Sequence, residues 1–150
     1  MVPEEMGARA ADLFKSGMNC AQAVYVAFAP ELGLDEKNAA MASSGLGGGV
    51  GRMREVCGAV TGATLVLGHV FGEDKNLVYE KVQHLCAGFK AETGSIICRE
   101  MLAAAQGTQS VEIGGKAEPR SESYYRKRPC VELVRLAAML AAEEIEGRNQ

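Results

Sequence analysis

Five cysteines, Cys20, Cys57, Cys86, Cys98 and Cys130, are the residues of this chain whose type best suits chemistry. Their number is odd. The opening residues, MVPEEMGARAADLF, carry acids where a secretory leader would carry bases. That start predicts a cytoplasmic protein, in which thiols stay reduced and a static disulfide framework is not expected. Metal ligation or redox cycling is then the sharper chemistry. The plainer alternative is that a free cysteine acts as a small buried hydrophobe.

The spacing removes several chemistries. No C-x-x-C occurs, so a thioredoxin-type motif and a compact zinc knuckle are excluded, and without C-x-x-C-H so is covalent c-type haem. The four-cysteine ferredoxin runs are absent as well. Any shared site has to be assembled from distant elements. His69 and His84 are the two candidate additional ligands, although lone helical histidines are usually surface or core residues.

Four of the cysteines share a kind of position. Cys20 follows Asn19, a candidate helix cap, and Cys57 heads an apolar segment after a glycine-rich loop. Cys98 lies just after Ser95, another candidate cap, and Cys130 adjoins Pro129, a typical first-turn residue. Free backbone N–H groups and the positive dipole end at a helix start favour a thiolate, the form that both redox and metal chemistry need. Cys86 departs from the pattern. It lies inside a helix on an apolar face and reads as core.

The elements that must position these thiols read as helical. Residues 3–16 begin with Pro and acids, as helix N-termini do, and Gly17 can stop them. CAQAVYVAFAPEL follows Asn19 and is ended or kinked by Pro30, and Asp35 caps DEKNAAMASS. CGAVTGATLVLGHVFG is apolar nearly all round, which predicts the central buried helix. Residues 74–92 repeat apolar positions at helical spacing, and IICREMLAAA follows Ser95. Residues 107–129 read as a long polar surface loop with at most one short element, and Val-Glu-Ile at 111–113 as one short strand. The last helix starts around Pro129-Cys130 and runs to Gly147, with Arg148-Asn149-Gln150 expected to fray. The fold class is all-α: a compact single-domain bundle, residues 1–150, of about five to seven helices.

The loop GLGGGVGRMR, residues 45–54, matches neither a Walker loop nor a dinucleotide fingerprint. Its glycines permit left-handed backbone and close approach. Arg52 and Arg54 add positive charge near Cys57, which is expected to favour its thiolate. Gly58 and Gly62 form a G-x-x-x-G pair that predicts tight helix packing and leaves space beside Cys57.

Composition bounds the partners. The net charge is −3, which offers no general affinity for nucleic acid. The one basic cluster, Arg126-Lys127-Arg128 beside Tyr124 and Tyr125, reads as solvated, with an anionic ligand as the alternative. No run approaches the roughly 18 apolar residues of a spanning helix, so no membrane insertion is expected. Small apolar residues predominate and aromatics make up 5% with no Trp, which suits close helix packing and suggests a homodimer.

NCAQAV at 19–24, the glycine loop leading into CGAVTGA at 57–63, the G-x-x-x-C at 94–98 followed by Arg-Glu, and the late Cys130 resemble the C_GCAxxG_C_C family of proteins with an inferred redox role. The likeness runs from about residue 8 to residue 140. It implies four family cysteines, matched by Cys20, Cys57, Cys98 and Cys130, and gives Cys86 no counterpart. Similar domains are joined to c-type haem segments in split-Soret cytochromes, which implies electron transfer and an iron–sulfur centre. This chain lacks the haem segment, so haem is not expected.

The functional expectation is a redox protein whose four clustered thiolates hold a [2Fe–2S] or other metal centre. Arg52, Arg54, Gly58 and Gly62 would surround the cofactor. One alternative is a metal-free thiol/disulfide oxidoreductase, with Cys57 attacking and Cys20, Cys98 or Cys130 resolving. Another is a non-enzymatic zinc or structural module on the same thiolates. The sequence names no redox partner or substrate.

Overall fold

The protein is described by a computed structural model that covers residues 1–147; the expected fraying of Arg148-Asn149-Gln150 lies outside the described residues. In chain order the helices are α1 (Pro3–Lys15), α2 (Cys20–Ala27), α3 (Ala29–Leu32), α4 (Glu36–Ser43), α5 (Gly58–Phe71), α6 (Lys75–Thr93), α7 (Cys98–Gln106), α8 (Glu122–Lys127) and α9 (Cys130–Glu146), with a 3-10 turn at Ser44–Leu46. These nine α-helices among the described residues exceed the expected five to seven. The excess has two sources. The segment before Pro30 breaks at Phe28, which separates α3 from α2, and the polar stretch 107–129 folds α8. Ser121 caps α8 by accepting the Tyr124 N–H at 3.2 Å.

The core forms where α1, α2, α5 and α9 pack together, with α6 against α5 and α9. Phe14, Phe28, Phe89, Met6, Leu67 and Leu85 are its largest fully buried apolar side chains. α5 meets α2, α6 and α9, so the helix that is apolar nearly all round is central. Its Thr61, Thr64, Gly68 and His69 side nevertheless reaches the surface.

The close approach of α2 and α5 depends on Gly62. A Cβ there would lie 2.7 Å from the Ala21 carbonyl oxygen and 3.1 Å from the Ala21 Cα. A Cβ on Gly58 would meet the Ala21 nitrogen at 3.1 Å and the Cys20 Cβ at 3.2 Å. The neighbour accommodated by the small-residue face is therefore the first turn of α2, which carries Cys20.

The Val-Glu-Ile segment does not form the expected strand. It lies along the glycine loop instead, where Gly114 donates its N–H to the Arg52 carbonyl at 2.8 Å and the Glu112 carbonyl accepts from Arg54 Nε at 3.0 Å. The one β-type pairing among the described residues is an isolated antiparallel bridge between Val56 and Ile97. Three residues are too few to reveal a strand in the sequence when a side chain, not a second strand, supplies the partner.

Candidate functional site: a four-cysteine cluster at helix starts

Four cysteines stand at helix starts. Cys20, Cys98 and Cys130 are the first residues of α2, α7 and α9, and Cys57 is the N-cap of α5. Cys86 lies inside α6, half-buried, and none of the other thiols perturbs it. His69 stacks on Tyr25, whose hydroxyl lies 2.5 Å from its Nε2, and His84 pairs with Glu144. Neither histidine joins the cysteines.

Local structure explains how distant thiols meet. Cys57 donates its N–H to the Ile96 carbonyl at 2.8 Å, and Cys98 donates to the Glu55 carbonyl at 2.7 Å. These bonds belong to the Val56–Ile97 bridge, which fixes Cys57 beside Cys98. Asn19 places Cys20. Its side-chain oxygen accepts the Gln22 N–H at 2.9 Å, Gln22 accepts the Asn19 N–H at 3.0 Å, and Asn19 Nδ2 donates to the Ser44 carbonyl at 2.9 Å. The capping box thus ties α2 to the root of the glycine loop.

The loop itself is strained. Gly48, Gly49, Val50, Gly51 and Arg52 run consecutively with φ between 54° and 72°, and Arg54 follows at 58°. Glycine accepts this region freely; Val50, Arg52 and Arg54 do not. At Gly49, φ is 72° and a Cβ would lie 2.8 Å from the Cys98 Cβ and 2.6 Å from the Glu55 nitrogen. The left-handed path lets the loop fold over Cys98, with Arg54 aimed at its sulfur.

Arg54 is 2% exposed, and its Nη1 lies 3.8 Å from Cys98 Sγ. The sequence placed Arg52 and Arg54 beside Cys57. Arg54 instead serves Cys98, and Arg52 donates through Nε to the Gly114 carbonyl at 2.9 Å. The basic cluster 126–128 also divides. Arg126 stays on the surface opposite Glu122, whereas Arg128 turns in over the Tyr124 ring and pairs with Glu118 at 3.0 Å. Arg120, which the sequence reading passed over, lies over the rings of Phe14 and Tyr124 and donates to the Phe14 and Met18 carbonyls, each at 2.8 Å. A lone arginine in a long polar segment gives no signal until its partners are in place.

These contacts decide where negative charge sits. The interaction of Cys20 with Cys130 raises the Cys20 thiol well above its ordinary value and lowers that of Cys130; Arg128, Arg120 and Arg54 lower Cys130 further, against its burial. Of the two, Cys130 is the sulfur that ionises more readily and Cys20 the one that keeps its proton. Cys57, 4% exposed, is pushed up to about 12, first by burial and then by the Cys130 charge; the Ala59 and Val60 N–H groups oppose this and lose. Burial also raises Cys98, against the pull of Arg54. The expectation of a thiolate on Cys57 in the metal-free protein is thus corrected. Desolvation outweighs the helix start, Arg54 faces Cys98 instead, and Arg52 bonds the Gly114 carbonyl.

The four sulfurs act on one another, yet no three His, Cys, Asp or Glu side chains among the described residues gather around a single metal position. A mononuclear zinc site needs such a grouping.

The family model described as "Putative redox-active protein (C_GCAxxG_C_C)" matches residues 18–144. The chain belongs to this family. No curated protein and no solved structure matches it significantly. Among the described residues no helix is long and apolar enough to cross a membrane.

Proposed function

We propose that this family member is an electron-transfer protein whose redox centre is built on Cys20, Cys57, Cys98 and Cys130 as ligands of a [2Fe–2S] cluster. The observation that carries the reading is the convergence of four thiols from four helix starts. A disulfide needs only two sulfurs, and a core cysteine needs none of its kind. The donor set is soft, as iron–sulfur chemistry requires. A two-iron cluster takes its thiolates in pairs, so it does not need three donors around one point.

Such a cluster supplies one-electron transfer when bound. The chain's own residues supply the setting. Arg54, Arg120 and Arg128 provide counter-charge for four thiolates, of which Cys57 and Cys130 are buried and Cys20 and Cys98 half-buried. Arg54 and Arg120 reach no carboxylate among the described residues, so their charge remains available to sulfur. Buried Cys57 and the glycine loop over Cys98 limit water at the sulfurs. Gly58 and Gly62 hold Cys20 close to the start of α5.

The test is protein purified without oxygen, read by visible absorption and by iron and acid-labile sulfide content. Sulfur-to-iron charge-transfer bands with matching iron and sulfide are expected, and they should vanish in Cys98→Ser. A colourless, metal-free product would refute the cluster.

The opposite shifts of the Cys20 and Cys130 thiols, each acting on the other, favour a second reading, a metal-free dithiol. Here the Cys130 thiolate attacks a substrate disulfide, and Cys20 then loses its proton and resolves the mixed disulfide. Both protein thiols are oxidised, and the substrate leaves as two thiols. Mild oxidation followed by peptide mapping should then recover a Cys20–Cys130 linkage. Recovery of any other pair would sink this assignment.

A further inference from the structure

The protein carries net charge −3, yet Arg52, Arg54, Arg120, Lys127 and Arg128 line two clefts that both include Tyr124. A cleft of about 400 Å³ is walled by Arg52 and Arg54 of the glycine loop and by Ser123, Lys127 and Arg128 of the α8 region. A second cleft, of about 290 Å³, shares Arg52, Tyr124 and Arg128 with the first and adds Arg120. The carboxylates on these walls are Glu112 and Glu118, and Arg128 occupies Glu118.

Arg52, Arg54, Arg120 and Lys127 reach no carboxylate among the described residues. The guanidinium groups of the three arginines are nonetheless held in place. Arg52 and Arg54 spend Nε on the Gly114 and Glu112 carbonyls, at 2.9 Å and 3.0 Å. For Arg52 this leaves both terminal nitrogens free on a fixed stem. A fixed fork of this kind suits carboxylate or phosphate oxygens and loses little entropy on binding. The larger volume falls within the roughly 300–1,000 Å³ range of small-molecule sites.

We infer that this cleft binds a small polyanion bearing carboxylate or phosphate groups, with Arg52 and Lys127 as its free clamps. Arg54 forms the wall between this ligand and Cys98, since its Nη1 lies 3.8 Å from the sulfur. As the place where a reactant would approach the thiol centre, the cleft rests on the function proposed above. As an anion site it stands without it.

The test is calorimetric titration with citrate and, separately, with inorganic phosphate, each against sodium chloride at matched ionic strength. Saturable binding of at least one is expected. It should weaken about tenfold or more in Arg52→Gln/Lys127→Gln, since both charge-assisted contacts are lost. Saturation by citrate alone assigns carboxylate chemistry, and saturation by phosphate alone assigns phosphate. No saturation beyond chloride, or equal affinity in the variant, overturns the inference. Lys127 is exposed, so Lys127→Gln alone keeps the test decisive should loss of the Arg52–Gly114 bond unfold the double variant. The titration reads neither metal nor redox state. A colourless protein that binds citrate therefore refutes the cluster alone, and a coloured protein that binds neither anion refutes the cleft alone.

Discussion

Burial of Cys57 gives the reduced, metal-free protein a measurable alkaline weakness. Its thiol is pushed from 9.0 to about 12 in the folded state. Below pH 9 the thiol is protonated in both folded and unfolded chains, and its contribution to stability is fully present. Above pH 9 the unfolded chain releases the proton while the native chain retains it, so stability falls until the folded pKa is passed. At pH 10, one unit above the unfolded value, the loss is about 1.4 kcal/mol; it approaches about 4 kcal/mol near pH 12. Urea unfolding at pH 8 and pH 10, with reductant and chelator present, measures it. With a slope of about 2 kcal/mol/M, the wild-type midpoint should fall by about 0.7 M more than that of Cys57→Ala. The variant bears a cavity cost, but that cost does not depend on pH. Parallel decline of the two proteins would refute the claim that desolvation governs this thiol.

Three further outcomes follow from the same geometry. Gly62→Ala drives a Cβ to 2.7 Å from the Ala21 carbonyl oxygen and should cost about 1–3 kcal/mol by thermal unfolding, whereas Gly68→Ala on the same helix meets nothing within 4 Å and should gain about 0.5–1 kcal/mol. Val50 is exposed with φ at 66°, so Val50→Gly should stabilise by about 1 kcal/mol, seen as a raised melting temperature. Asn19→Ala removes both the cap of α2 and the bond to Ser44, and should cost about 1–2 kcal/mol in chemical denaturation.

Much of the helical layout was legible in the sequence because its signals are local. Asn19, Asp35 and Asp74 cap helices through their own side chains, and Gly33, Gly94 and Gly107 close them in left-handed backbone. Ser95 shows the limit of such reasoning. It stands where a cap was expected, but α7 starts at Cys98 with Ile97 as N-cap, and the Ser95 hydroxyl accepts the Ile97 N–H and donates to Glu100. The break between α2 and α3 and the existence of α8 were harder to read. Short elements bury too little for their pattern to stand out from loop composition.

By itself the sequence determined that four cysteines begin helices and that Gly58 and Gly62 leave α5 open to a close neighbour. Caps, proline and glycine act over a few residues, so these features do not wait on the fold. Only tertiary structure decided which arginine meets which sulfur, and which sulfur holds the charge. Arg54 reaches Cys98 through a left-handed loop, and Arg120 joins Arg128 near Cys130 from a segment with no regular structure of its own. The helix starts that favour thiolates on Cys20 and Cys57 are outweighed by the interaction of Cys20 with Cys130 and by the burial of Cys57. Charge placement depends on distance and desolvation, and both come into being only when residues far apart in the chain are packed together.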